Sequence, residues 1–380
     1  MAWREYMPGC NYTSARARLP VEAGRCLHPR RLEAAVGGGP AGVHEQHAAG
    51  HVADTPALFL DSWHDYGPAD TFALAELWRK NATSERTRDN VFVVVAPTTH
   101  CVYAQDREQT IVGQRDLGDA RFDFYGLYLR WFDRWLKGID NGVTRMPKVQ
   151  IFVMGKNQWR GEEEWPLRRT RFTKFYLRSD GRAQSRTGTG VLSIEPPRRE
   201  PSDTFEYDPA RPVASVGGPD FGTPLPGLIA GAVDQSEVEM RHDVLVYTTA
   251  PLEKGLEVTG PLEAVLFVSS SAPDTDFTAK LVDVFPDGRA FNVQEGILRA
   301  RYRDGFDKKA FMREASIASR AASPSRATSS GPGTASASRS RAATSPASTG
   351  TSTPAGGTTT RPDGPWPGTR STTPRGAPRT

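Results

Sequence analysis

Pro56-Ala-Leu-Phe-Leu-Asp-Ser-Trp-His-Asp65 and Val91-Phe-Val-Val-Val-Ala-Pro-Thr-Thr-His100 are the two stretches that decide the fold. Each opens with an apolar run of strand length. Each ends on a residue able to do chemistry, Asp65 in the first and His100 in the second. Between them the pattern is helical, with Phe72, Leu74, Leu77 and Trp78 apolar and Glu76, Arg79 and Lys80 polar. Strand, helix, strand reads as a βαβ unit. The β-branched run over 91–95 suits a parallel sheet covered on both faces. Functional groups of open α/β sheets lie just beyond the carboxyl ends of the strands, where Asp65 and His100 fall.

The chain has 380 residues, enough for two domains. No run approaches the roughly 18 apolar residues of a membrane span. Met1-Ala-Trp-Arg-Glu-Tyr6 lacks the apolar core of a signal peptide. Cys10, Cys26 and Cys101 are widely spaced and odd in number, which fits a reducing compartment. A cytoplasmic location is therefore expected. The net charge of +4 belongs to the C-terminal end. Residues 318–380 hold eight arginines and one acid (Asp363), a net of +7, which leaves residues 1–317 at −3. A nucleic-acid partner is not expected for an acidic folded part.

Residues 1–50 show no sustained period and read as an irregular segment. His44, His47 and His51 cluster there, but no Cys or acid pattern completes a metal site, and a solvated loop is the simpler reading. No cofactor or metal is expected. Phe122 to Lys137 reads as an amphipathic helix with 124, 128, 131, 132 and 135 on one face and Gly138 as its C-cap. Lys148 to Met154 reads as a strand, followed by a loop from Gly155 to Pro166. From 167 the pattern changes to short strands at 172–178, 243–248, 256–259, 263–269, 277–285 and 296–302, with Pro286-Asp-Gly288 as a hairpin turn. This pattern predicts an all-β sandwich or jelly roll over 167–314. Residues 196–231, rich in Pro and Gly, read as an excursion within it. After Met312 there is no Leu, Val or Phe, and the segment 315–380 reads as a disordered low-complexity tail.

Several segments together resemble one family, the CocE/NonD-type hydrolases grouped with cocaine esterase, α-amino-acid ester hydrolases and Xaa-Pro dipeptidyl-peptidases. They are Pro56 to Asp65, Pro97-Thr-Thr-His100, Arg130-Trp-Phe-Asp-Arg-Trp-Leu-Lys-Gly138, Ile151-Phe-Val-Met-Gly155, Trp165-Pro166, Asp243 to Thr248, Val258-Thr-Gly-Pro261, Ala272 to Phe277 and Gly296 to Tyr302. The resemblance implies the C-terminal part of an α/β-hydrolase domain over 51–166 followed by a jelly roll of galactose-binding-like type. It also implies a Ser-His-Asp triad with Asp65 as its acid and His100 as its base, acting on a small acyl ester or peptide substrate. A membrane partner is not implied.

The third member of that triad is missing from the sequence. No serine has glycine at both −2 and +2, and only Ser14 and Ser62 precede Asp65. The chain therefore resembles an N-terminally incomplete family member that is an inactive or weakened serine hydrolase. The alternative is a non-catalytic jelly-roll binding module or pseudoenzyme fragment. A frameshift near 312–316 is expected as well. The family's His-Arg-Ile-Arg, in GC-rich codons read one base out of frame, gives the Thr-Ala-Ser found at 334–336.

Overall fold

The computed structural model describes residues 52–104, 107–220, 229–305, 312, 317–330 and 339–345. The first apolar run forms β1 (Ala57–His64). Helix α1 (Pro68–Lys80) follows, then the single turn α2 (Glu85–Arg88), then β2 (Val91–Thr99). Ser84 caps α2 by accepting the Thr87 N–H. A two-residue pair, β3 (Ile111–Val112) and β4 (Arg115–Asp116), leads to α3 (Phe124–Lys137). Strand β5 (Val149–Val153) lies parallel to β2, and β6 (Gln158–Glu162) turns back antiparallel to it. The sheet order is β1-β2-β5-β6. The segment 155–166, expected as a loop, thus contains a strand.

Strand β2 is the spine of this sheet. Val91 to Ala96 are essentially inaccessible to solvent. Val91, Val93 and Val95 pack on one face with Phe72 and Ala75 of α1. Phe92, Val94 and Ala96 pack on the other with Phe124, Leu127 and Trp131 of α3. Each such aliphatic or aromatic side chain contributes about 1.5–3 kcal/mol by leaving water, which is why the run can dispense with alternation.

Helix α3 begins where Asp123 accepts the Gly126 N–H and ends where Gly138 takes φ +74°, a left-handed turn that suits glycine. Its buried face differs from the expected one. Phe124, Leu127 and Trp131 are buried, whereas Phe132 is 55% exposed. At 100° per residue Phe132 belongs with Tyr125, Leu129 and Leu136, and these form an outer apolar stripe at 72%, 68% and 77% exposure.

The second part is strand-rich. It contains β7 (Tyr176–Arg178), β8 (Val191–Ser193), β9 (Leu245–Thr248), β10 (Leu256–Val268), β11 (Asp276–Val284), β12 (Ala290–Arg299), β13 (Ile317–Ser330) and β14 (Arg339–Ser345). A six-stranded sheet runs β12-β11-β14-β9-β8-β7, and β10 pairs with β13. Pro286-Asp287-Gly288 makes the β11–β12 turn, closed by the Phe285 N–H on Arg289 O at 2.8 Å. The strands expected at 256–259 and 263–269 are one strand, β10, with a register irregularity between Gly260 and Leu262. Strands β13 and β14 depart from the disordered tail expected over 315–380. Their backbone groups join ladders offered by β10, β9 and β11, and a ladder requires no apolar side chains from the incoming strand. The remainder of that segment lies outside the described residues, as do residues 1–51.

The two parts meet along a polar seam. Arg160 of β6 makes a two-pronged contact with Glu257 of β10 at 2.8 and 3.0 Å, and Lys156 adds a third at 2.7 Å. Together they hold the Glu257 carboxyl down to about 2. The Gln114 N–H donates to Ala232 O at 2.8 Å.

The outer stripe of α3 exposes surface suited to association. The chain is expected to self-associate in light scattering and to bind a hydrophobic dye. The double substitution Leu129→Lys, Leu136→Lys should reduce both signals while leaving the far-UV circular dichroism unchanged.

Candidate active site

Strand pairing brings Asp65 and His100 together. In β1 and β2 the register runs Leu60 with Val94, Asp61 with Val95 and Ser62 with Ala96, then shifts so that His64 lies beside Thr99. Two steps on β1 are matched by three on β2. The extra residue falls within Pro97-Thr98-Thr99. A slip of one residue turns every later side chain to the opposite face. Because the slip occurs here, the residues just past each strand emerge side by side. Ser62 and Thr98 stabilise the irregular stretch, their hydroxyls 3.2 Å apart and buried.

Asp65 sits in the tight turn after β1, where its N–H donates to Ser62 O at 3.0 Å. One carboxyl oxygen, Oδ1, accepts the Tyr66 N–H at 2.6 Å. The other, Oδ2, lies 2.5 Å from His100 Nδ1. With both carboxyl oxygens of Asp65 engaged, the imidazole ring has its Nδ1 fixed on a carboxylate. The Asp65 side chain is 13% exposed and that of His100 30% exposed. The pair is thus partly withdrawn from water, which strengthens the contact.

A second carboxyl lies close by. Asp61, on β1, is buried. Its Oδ2 accepts the Thr71 hydroxyl at 2.5 Å, and its Oδ1 accepts the Ser62 N–H at 2.7 Å. Burial pushes this carboxyl up to about 7 against the pull of the Thr71 hydrogen bond, and the negative Asp65 adds to the rise. Sequence reading passed over Asp61, although an acid inside an otherwise apolar strand is itself a signal. The strand-rich part also reaches this end of the sheet. The Asp220 N–H donates to His64 O at 3.1 Å. Burial and then the carboxylates of Glu295, Asp220 and Asp65 push the Tyr66 phenol up.

Other aromatic and charged residues of these segments have structural surroundings. Trp63 is 1% exposed, donates Nε1–H to Phe152 O at 2.8 Å, and packs on Phe72 and Trp165. Trp159 donates to Ala120 O and packs on Phe122 and Phe152. His64 is buried beside Asp65 without closing on it a set of metal ligands. Asp276 and Asp274 pair with Arg299 and Arg301 at 2.8 and 2.7 Å, which accounts for their charge. Among the described residues no cluster of three or more His, Cys, Asp or Glu could hold a metal ion. His44, His47 and His51 lie outside the described residues. A surface cavity of about 310 Å³ lies between α3 and the 141–146 loop, lined by Arg130, Asn141 and Arg145, away from Asp65 and His100. No helix among the described residues is long and apolar enough to cross a membrane.

Known proteins resemble the chain over most of this architecture. The family described as the X-Pro dipeptidyl-peptidase C-terminal non-catalytic domain matches residues 141–335. Cocaine esterase of Rhodococcus sp. (strain MB1 Bresler) is 41% identical over 253 residues, 66% of this chain and 42% of its own length. A putative serine esterase of Mycobacterium bovis is 31% identical over 189 residues, 50% of this chain and 28% of its own. The chain thus spans less than half the length of these curated relatives. A crystal structure of a selenomethionine-labelled α-amino acid ester hydrolase superimposes with a TM-score of 0.63 at 23% identity, covering 84% of this chain and 52% of that one, a likeness of fold.

The Asp61 carboxyl predicts a pH dependence. Its ordinary value is 3.8 and its folded value about 7, so between these the folded chain retains a proton that the unfolded chain has lost. Its contribution to stability is complete at the acid end and declines as pH rises through that window, by at most about 4 kcal/mol. Denaturant titrations from pH 4 to 8 should reveal the decline, and Asp61→Asn should flatten it.

Proposed function

We propose, since the chain belongs to the CocE/NonD-type hydrolase family, that Asp65 and His100 are the acid and base of an acyl-transfer site for small esters or amides. The observation that carries this reading is the 2.5 Å contact between His100 Nδ1 and Asp65 Oδ2 at the adjacent carboxyl ends of two parallel strands. The carboxylate fixes the tautomer in which Nδ1 carries the proton and Nε2 is the basic nitrogen. It also steadies the imidazolium formed when Nε2 gains a proton. In this reading Nε2 removes a proton from an attacking hydroxyl or water and then hands it to the departing alcohol or amine. Residues 51–166 are then the C-terminal part of an α/β-hydrolase domain. Support comes from the parallel β1-β2-β5 order with α1 and α3 on opposite faces. Residues 167–314 are read as a jelly roll.

The substrate class follows from the company the chain keeps. Its relatives carry the names of esterases, and the matching family is named for an X-Pro dipeptidyl-peptidase. No serine in the given sequence has glycine at both −2 and +2, so in this reading His100 activates water. The competing reading, a binding module without catalysis, draws support from the non-catalytic description of the domain matched over 141–335.

Hydrolysis of an activated phenyl ester separates these readings. Asp65→Asn and His100→Ala should each lower the rate at least about tenfold, a modest share of what a general base supplies. A fluorophosphonate probe should leave the chain unlabelled. Equal rates in all three proteins would remove the catalytic reading and favour binding. A labelled serine would show that the chain carries its own nucleophile.

A further inference from the structure

Asp61 is a buried carboxyl with no part in the acid–base chemistry just described. On β1 it shares a face with Phe59 and Trp63, which pack against Trp78 and Phe72 of α1. Its Oδ2 accepts the Thr71 hydroxyl from the first turn of that helix. The helix starts at Gly67, which has no side chain with which to cap it. A Cβ at Gly67 would come within 2.8 Å of Asp61 Oδ2, so glycine is the residue that lets the helix head approach the carboxyl. Helix N-termini usually have an Asp, Asn, Ser or Thr at the cap itself. Here the acid is supplied from the neighbouring strand. Only Tyr66 separates Asp65 from Gly67, so whatever holds the helix head also holds the turn that carries Asp65.

We propose that Asp61 is a positioning residue, clasping the head of α1 through Thr71 and thereby keeping Asp65 Oδ2 on His100 Nδ1. The inference rests on the acid–base reading of that pair. The charged groups around Asp61 are Asp65 from the following turn and His100 from the end of β2, while Asp70 in the first turn of α1 is exposed. Ionisation of Asp61 therefore places a second negative charge near the imidazole. Loss of the clasp loosens the Asp65–His100 hydrogen bond.

The test is proton NMR on the full chain, with the His100 signals assigned through His100→Gln. The unsubstituted protein should show a low-field Nδ1–H resonance that exchanges slowly with solvent. In Asp61→Ala and in Thr71→Val that proton should exchange at least roughly tenfold faster, with the far-UV spectrum retained. Asp61→Asn retains an acceptor for Thr71, so it should restore slow exchange. Should Asp61→Ala fail to fold, Thr71→Val alone decides. Unchanged exchange in folded Asp61→Ala and Thr71→Val, or fast exchange in folded Asp61→Asn, would overturn the inference. Absence of the low-field resonance from the folded, unsubstituted chain would instead overturn the Asp65–His100 reading on which it stands.

Discussion

Parallel pairing of β1 with β2 is the constraint on which the rest depends. Parallel strands cannot be joined by a tight turn, so the chain must leave the sheet, build α1 and α2, and return. That journey covers one face of the sheet. The second crossover, through α3 between β2 and β5, covers the other. The strand ends then lie at one edge of the sheet, with the helix starts close behind them. Asp65 and His100 occupy that edge because the hydrogen-bond ladder requires it, and the single irregularity at 97–99 turns them toward one another. Each level follows from the one beneath: β-branched residues favour extended backbone, extended backbone fixes the ladder, and the ladder fixes the pair.

Charge is handled differently at the two ends of this arrangement. At the seam, Glu257 receives Arg160 and Lys156 and remains ionised. At the site, Asp61 receives only neutral donors, from Thr71 and the Ser62 backbone. Asp61 is buried and hydrogen-bonded only to neutral donors, whereas Glu257 is partly exposed and faces two cations. Desolvation therefore prevails at Asp61 and is offset at Glu257. The contrast follows from depth and local residue choice together.

Much of this was legible in the sequence. The apolar runs at 56–60 and 91–96, the acid and histidine that end them, and the helix from Phe124 to its Gly138 cap all follow from period and punctuation. What escaped reading depends on information that no period carries. The ladder irregularity at Pro97-Thr98-Thr99 is a relation between two strands. The outward face of α3 was misjudged because Phe132 is apolar like its buried neighbours, and only the helix rotation separates them. Strand β6 has exposed and intermediate positions along most of its length, so the 155–166 segment gave no alternation. Strands β13 and β14 draw their order from partner strands distant in sequence. Asp61 was visible as an acid in an apolar run, but its partner Thr71 lies across a helix start.

The hydrogen bond from the Asp220 N–H to His64 O has a bearing on how such proteins can be recombined. It ties a backbone strip of the strand-rich part to the residue immediately before Asp65. Gln235 in turn fixes that strip from behind, donating to Val216 O and accepting from Lys280. A hydrolase and its accessory domain are often imagined as interchangeable cassettes. Here the strand-rich part touches the end of the strand that leads into Asp65. A chimera that grafts the second part of one relative onto the first part of another would inherit a strip shaped for a different strand end. Domain exchange within this architecture would therefore need the 215–220 strip and the 64–67 turn to travel together as one inherited unit.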